Sequence, residues 1–293
     1  MKLLYRVFFR CMLLLIMTYV ATGCSAPDDP DPVPVTKDTI RVLAIGNSFS
    51  EDALQYVYDL AGASDRDVIL GNLFYGNCSL AQHWLFIKQK SAVYDYQKNE
   101  NGAFSHNYNS TLQKGLTDEK WDVITIQQYS AYSGMIDTYF PYLDSIVAYV
   151  KQNATNAGMK LALHQTWAYP AYSTLKDFEN YGNNQLVMYG QIVTVVKEVA
   201  ARQGIILIIP SGTAIQNARS YFGDTLNRDG SHLTNSLGRY IASCTWFESL
   251  TGVSSVGNSF RPLGVSYTDA SVAQVAAHSA ILKPDEVTNI SGL

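Results

Sequence analysis

The sequence predicts an α/β protein of three layers, built on a doubly wound, mainly parallel five-stranded sheet. Five segments of the 293-residue chain are near-continuous runs of Val, Ile and Leu. Runs without polar alternation belong to strands buried on both faces, as in parallel sheets. The stretches between them have helical length and spacing, so successive strands are joined by crossovers.

The elements follow in order. Residues 40–45 form the first strand and run into Gly46-Asn47, after which residues 51–63 have helical spacing. Residues 68–74 form the second strand, ending at Tyr75-Gly76-Asn77, and residues 79–88 a helix. Residues 89–120 are polar and irregular and read as a long excursion of the kind that forms lids or binding loops. Residues 121–126 form the third strand, ending at Gln127-Gln128, followed by a helix over 139–151. Residues 160–164 form the fourth strand, ending at Gln165-Thr166-Trp167. A long helix over 184–202 stops near Gly204, and residues 205–209 form the fifth strand, ended by Pro210. A helix is expected over 236–250 and a short one over 270–282. Residues 251–293 otherwise carry no readable role.

The first segment is an address. Lys2, Arg6 and Arg10 precede an apolar stretch over 12–20, and Ala21-Thr22-Gly23 leads directly to Cys24. This is the layout of a secretory signal rather than of a spanning helix. Small residues ending on a cysteine resemble a bacterial lipobox, which implies a signal peptide over 1–23 and lipidation of Cys24. The expected location is the outer membrane of a Gram-negative bacterium, with the membrane engaged through the lipid. Residues 24–38, rich in Pro and Asp, read as a semi-extended tether, leaving residues 39–293 as one domain. Loss of the three positive charges in 1–23 takes the formal net charge from −4 to −7. No basic cluster remains, which argues against nucleic acid as a partner. Cys78 and Cys244 are left, free to pair or to stay as buried thiols. Oligomeric state is not legible.

Two motifs carry chemistry. Ala44-Ile45-Gly46-Asn47-Ser48-Phe49-Ser50 delivers a serine from a strand into a turn before a helix. Its hydroxyl would stand at the top of the sheet, with backbone N–H groups nearby for a developing oxyanion. The same pattern also suits a helix cap. Asn227-Arg228-Asp229-Gly230-Ser231-His232 supplies the second motif. A serine nucleophile needs a base, and the base needs a carboxylate to hold its tautomer. Asp-x-x-His places both on one loop, so Asp229 orients one ring nitrogen of His232 while the other faces Ser48.

Together the motifs resemble the SGNH (GDSL-like) hydrolase superfamily, over about residues 40–250, and look most like a poorly characterised bacterial lipoprotein branch of it. The resemblance implies a flavodoxin-like sheet and a triad of Ser48, Asp229 and His232. The oxyanion would be held by the N–H groups of Ser48 and Gly76 and by one further side chain. Where the family has an Asn in block III, this chain has Ile126-Gln127-Gln128-Tyr129-Ser130. A glutamine amide donates the same bond, and Gln128 is favoured over Gln127. No metal or cofactor is implied.

The expected function is therefore ester hydrolysis, with removal of O-acyl groups from envelope or surface glycans preferred. The alternatives are hydrolysis of lipid or small esters, or glycan binding without catalysis on the same fold. The chain has 20 Tyr and 4 Trp. Trp167, just past a strand end, is a candidate stacking face for sugar, with His83 and Gln127 as further candidate substrate contacts.

Overall fold

The strands form where the apolar runs are, because each must bury both faces. In the computed structural model, which describes residues 38–293, Val42, Leu43, Ala44 and Ile45 are all fully enclosed. In chain order the elements are β1 (Ile40–Gly46), α1 (Ser48–Leu54), α2 (Val57–Ala63), β2 (Val68–Phe74), α3 (Leu80–Gln89), β3 (Tyr94–Asn99), β4 (Phe104–Ser110), α4 (Leu112–Asp118), β5 (Val123–Ile126), α5 (Tyr142–Asn153), β6 (Lys160–His164), α6 (Gln185–Gln203), β7 (Leu207–Ile209), α7 (Ser211–Phe222), α8 (Leu237–Thr251) and α9 (Tyr267–Leu282).

The sheet has seven strands in the order β4-β3-β2-β1-β5-β6-β7. Strands β2, β1, β5, β6 and β7 are mutually parallel and keep the flavodoxin-like order. Helices α3, α4 and α5 pack together, and α1, α2, α7, α8 and α9 form a second group. Gly71 in β2 leaves room for the indole of Trp121, which a Cβ there would meet at 2.7 Å.

Five strands were expected and seven are present among the described residues. The expected loop over 89–120 instead folds into the antiparallel hairpin β3–β4, joined to the edge of β2, followed by α4. The hairpin has no apolar run because most of β4 faces solvent. Only Tyr94 and Tyr96 turn inward from β3 among its aromatics. The helix expected over 51–63 is two helices, broken at Gln55 and Tyr56. Helix α7 was not read from the sequence, and α9 is longer than expected. Cys78 and Cys244 are buried free thiols and do not pair. The signal segment, Cys24 and the tether through residue 37 lie outside the described residues.

Candidate active site

In a parallel sheet every strand ends on one edge, and ligands are held beyond that edge. Ser48 arrives there as the first residue of α1, directly after β1. Asn47 caps the helix, its Oδ1 accepting the N–H of Phe49 at 3.0 Å. Gly46 is required by crowding, since a Cβ there would meet Ser50 Oγ at 2.5 Å and Gln127 Cδ at 3.1 Å.

The second motif forms a closed loop. Asn227 and Leu233 make an antiparallel bridge, and Arg228 N–H donates to His232 O at 2.9 Å. Inside the loop, Asp229 Oδ1 accepts the N–H groups of Ser231 and His232 at 2.8 and 2.7 Å. Its other oxygen lies 2.9 Å from His232 Nδ1, and His232 Nε2 lies 2.8 Å from Ser48 Oγ. Burial acts to raise the Asp229 pKa. The backbone donors of His232 and Ser231 and the imidazole outweigh it and hold the pKa at about 2. An ionised Asp229 accepts the Nδ1 proton, which leaves Nε2 to accept from the serine.

Two side chains clamp this loop to α1. Asp52, fully buried, accepts Leu233 N–H at 2.9 Å and pairs with Arg228 at 3.0 Å and Arg239 at 2.7 Å. Trp167 donates from Nε1 to Ser231 O at 2.8 Å and stacks on Phe49 with ring centroids 4.2 Å apart. Trp167 is therefore not a sugar platform. It is wholly enclosed and braces the loop that carries Asp229 and His232.

The expected oxyanion donors lie at neighbouring strand ends. Gly46 pairs with Phe74, so Gly76 stands the same two residues past its strand as Ser48 does. No protein acceptor among the described residues takes the Gly76 N–H. The N–H of Ser48 sits at a helix start, where donors have no intrahelical partner.

Gln128 has no hydrogen left for the expected third donor, and one of the two Gln127 amide hydrogens is already engaged. Gln128 is fully occupied: Nε2 donates to Thr138 O and Oγ1 at 2.9 and 3.0 Å, while Oε1 accepts Leu80 N–H at 3.0 Å and Tyr129 N–H at 2.8 Å. Gln127 Nε2 donates to Asn47 Oδ1 at 2.8 Å, and its Oε1 lies 2.7 Å from His164 Nδ1. His164 Nε2 in turn lies 3.0 Å from Ser211 Oγ. Burial lowers the His164 pKa to about 3, so the ring is neutral. Because Gln127 donates to Asn47, its oxygen must accept from His164 Nδ1, and Ser211 then donates to Nε2. Asn47 Nδ2 completes the row by donating to Cys78 O at 3.2 Å. One line of side chains thus spans the ends of all five parallel strands and ties the Gly76 loop to the Ser48 turn.

His83 does not reach the site. It lies buried on α3, its Nδ1 2.8 Å from Tyr94 Oη, its Nε2 without a partner among the described residues. The cavity beside Ser48 and His232 holds about 220 Å³ and is lined also by Asn77, Tyr129, Ser130, Tyr169 and Leu175. These residues were missed because no local pattern marks them. Asn77 alone offered a signal, directly after Gly76 at a strand end. It adopts φ 56°, which Asn tolerates, and its exposed carboxamide has no partner among the described residues.

The model of the family described as "Domain of unknown function (DUF4886)" matches residues 41–280. A crystal structure of a DUF4886 family protein from Bacteroides uniformis is similar at 46% identity and a TM-score of 0.85, covering 87% of this chain and 100% of that one. A candidate SGNH hydrolase from Slackia heliotrinireducens is similar at 23% identity and a TM-score of 0.49, with 72% of this chain and 99% of that one covered. Axe2, an acetylxylan esterase from Geobacillus stearothermophilus, is similar at 13% identity and a TM-score of 0.48, with 72% and 94% covered. No curated protein matches the chain.

Proposed function

The chain belongs to the DUF4886 family, and we propose that it is a serine esterase that removes short O-acyl groups, acetyl foremost, from glycans. The observation that carries this reading is the unbroken row Asp229–His232–Ser48, with contacts of 2.9 and 2.8 Å.

His232 Nε2 takes the Ser48 proton as Oγ attacks the ester carbonyl carbon. The N–H groups of Ser48 and Gly76 receive the oxyanion, and the free carboxamide of Asn77 is the third donor. As the tetrahedral intermediate collapses, His232 returns its proton to the departing sugar oxygen. Water, deprotonated by the same nitrogen, then releases the acid and restores Ser48. Donors preset for the oxyanion supply most of the acceleration in such sites.

A cavity of about 220 Å³ supports a short acyl group, since pockets for drug-sized ligands hold ~300–1,000 Å³. The envelope location and the lipid at Cys24 belong to the same proposal and rest on the signal-like pattern over residues 1–24. p-Nitrophenyl acetate hydrolysis by the wild type and Ser48→Ala tests the chemistry. Loss of turnover in the variant supports it, and equal rates refute the role of Ser48.

A further inference from the structure

A second cavity, of about 330 Å³, lies between α1–α2 and the β3–β4 hairpin, away from the residues around His232. Its wall begins close to the nucleophile. Glu51 is three residues beyond Ser48 on α1, so the two share a helix face. The hairpin that closes the other side is the addition at the sheet edge.

The polar groups facing this cavity are specific in kind. The carboxylates of Glu51 and Asp59 are acceptors, and Phe104 adds an aromatic wall. Asn99 is the informative one, at 2% exposed. Its Oδ1 accepts Gly102 N–H at 2.9 Å, which settles the orientation of the amide. That leaves its Nδ2 a donor with no acceptor among the described residues, on a residue that lines the cavity. Arg239 also lines the cavity, but its guanidinium is held by Asp52 and Gln55.

These features narrow the ligand. Two carboxylates disfavour an anion, since the basic side chains that line the cavity are already engaged, Arg239 by Asp52 and His106 by Asp95. An amide donor in the lining disfavours a metal ion, whose ligands are oxygen lone pairs. A hydroxyl both donates and accepts, so a row of hydroxyls satisfies Asn99 and the carboxylates together, while an apolar C–H face suits Phe104. We propose that this cavity is a glycosyl subsite that holds one neutral sugar ring of the glycan whose acylated unit lies at Ser48. The connection to Ser48 rests on the esterase reading; sugar binding itself does not.

Calorimetric titration of the Ser48→Ala chain with maltotriose, xylotriose and N-acetylchitotriose tests the proposal without turnover. At least one trisaccharide is expected to bind. Asn99→Asp keeps the acceptor for Gly102 and removes the donor, and Asp59→Asn removes a charge at constant shape. Each is expected to weaken binding at least tenfold with an unchanged unfolding midpoint. If Asn99→Asp unfolds, Asp59→Asn decides alone. Absence of binding to all three sugars, or equal binding by parent and variants, overturns the subsite. Wild-type hydrolysis of p-nitrophenyl acetate tests the esterase reading independently, so either can fail without the other.

Discussion

The carboxylate of Asp52 accepts the backbone N–H of Leu233 at 2.9 Å across 181 residues of chain. One end of this bond lies on the helix that begins with Ser48, the other directly follows His232. Arg228 and Arg239 close on the same carboxylate, so Ser48 and His232 are held to each other by a buried charge cluster as well as by their own hydrogen bond. Asp52→Asn keeps the shape and leaves both guanidinium groups without their counter-charge. Breaking a buried pair from one side costs about 3–5 kcal/mol. A matching loss in chemical denaturation is expected, with kcat reduced as the loop loosens.

Replacing the triad members singly should reveal that they act as a unit. Ser48→Ala and His232→Ala are each expected to remove most of the acceleration, and the double variant little more, because the first loss already abolishes the nucleophile. Asp229→Asn, which no longer selects the Nδ1–H tautomer, is expected to lower kcat by about 10⁴-fold, on the precedent of a serine protease triad. Steady-state kinetics on p-nitrophenyl acetate measures all four.

For the oxyanion donors, Asn77→Ala is expected to lower kcat by ~100–1,000-fold with KM little changed, the effect of removing one such donor. Gln128→Ala should instead act on stability, since it strands the N–H groups of Leu80 and Tyr129. A kcat loss of that size in Gln128→Ala, with Asn77→Ala at wild-type rate, would reverse the assignment.

The row Ser211–His164–Gln127–Asn47 predicts a graded response. Gln127→Ala frees Asn47, and through it the loop that carries Gly76. Reduced kcat with a nearly constant KM is expected, together with a loss of stability of about 1–3 kcal/mol for the buried groups left unpaired. Paired kinetics and denaturation of this variant separate the two effects.

Acid should weaken the fold through its buried imidazoles. Burial lowers the pKa of His83 and His164 to about 3, against ~6.5 in an unfolded chain. Groups depressed in this way stabilise fully above the unfolded value, and that contribution fades as pH falls from about 6.5 towards 3. His83→Gln, which lies outside the site, is expected to flatten the fall of the unfolding midpoint between those limits. Identical slopes in wild type and variant would refute it.

What could be read in the sequence was what adjacent residues encode together. β1, β2, β5, β6 and β7 were legible because burial on both faces demands unbroken apolar runs. Ser48 was legible because strand, turn and helix start are contiguous, and Asp229 with His232 because only two residues separate them on one loop. The hairpin β3–β4 was hidden by its solvent-facing side, which removes the apolar run. The tertiary structure alone decided which polar side chains are free. An amide is a donor to substrate only if no neighbour has already taken its hydrogens. For Gln128 that neighbour is Thr138, which accepts from Nε2 through both O and Oγ1, and one of the two Gln127 hydrogens goes to Asn47, 80 residues away. Trp167 was committed in the same way, to Ser231 and Phe49. Local pattern determines which groups stand at the sheet's edge, whereas packing between distant segments determines which of them still have a hydrogen bond to give.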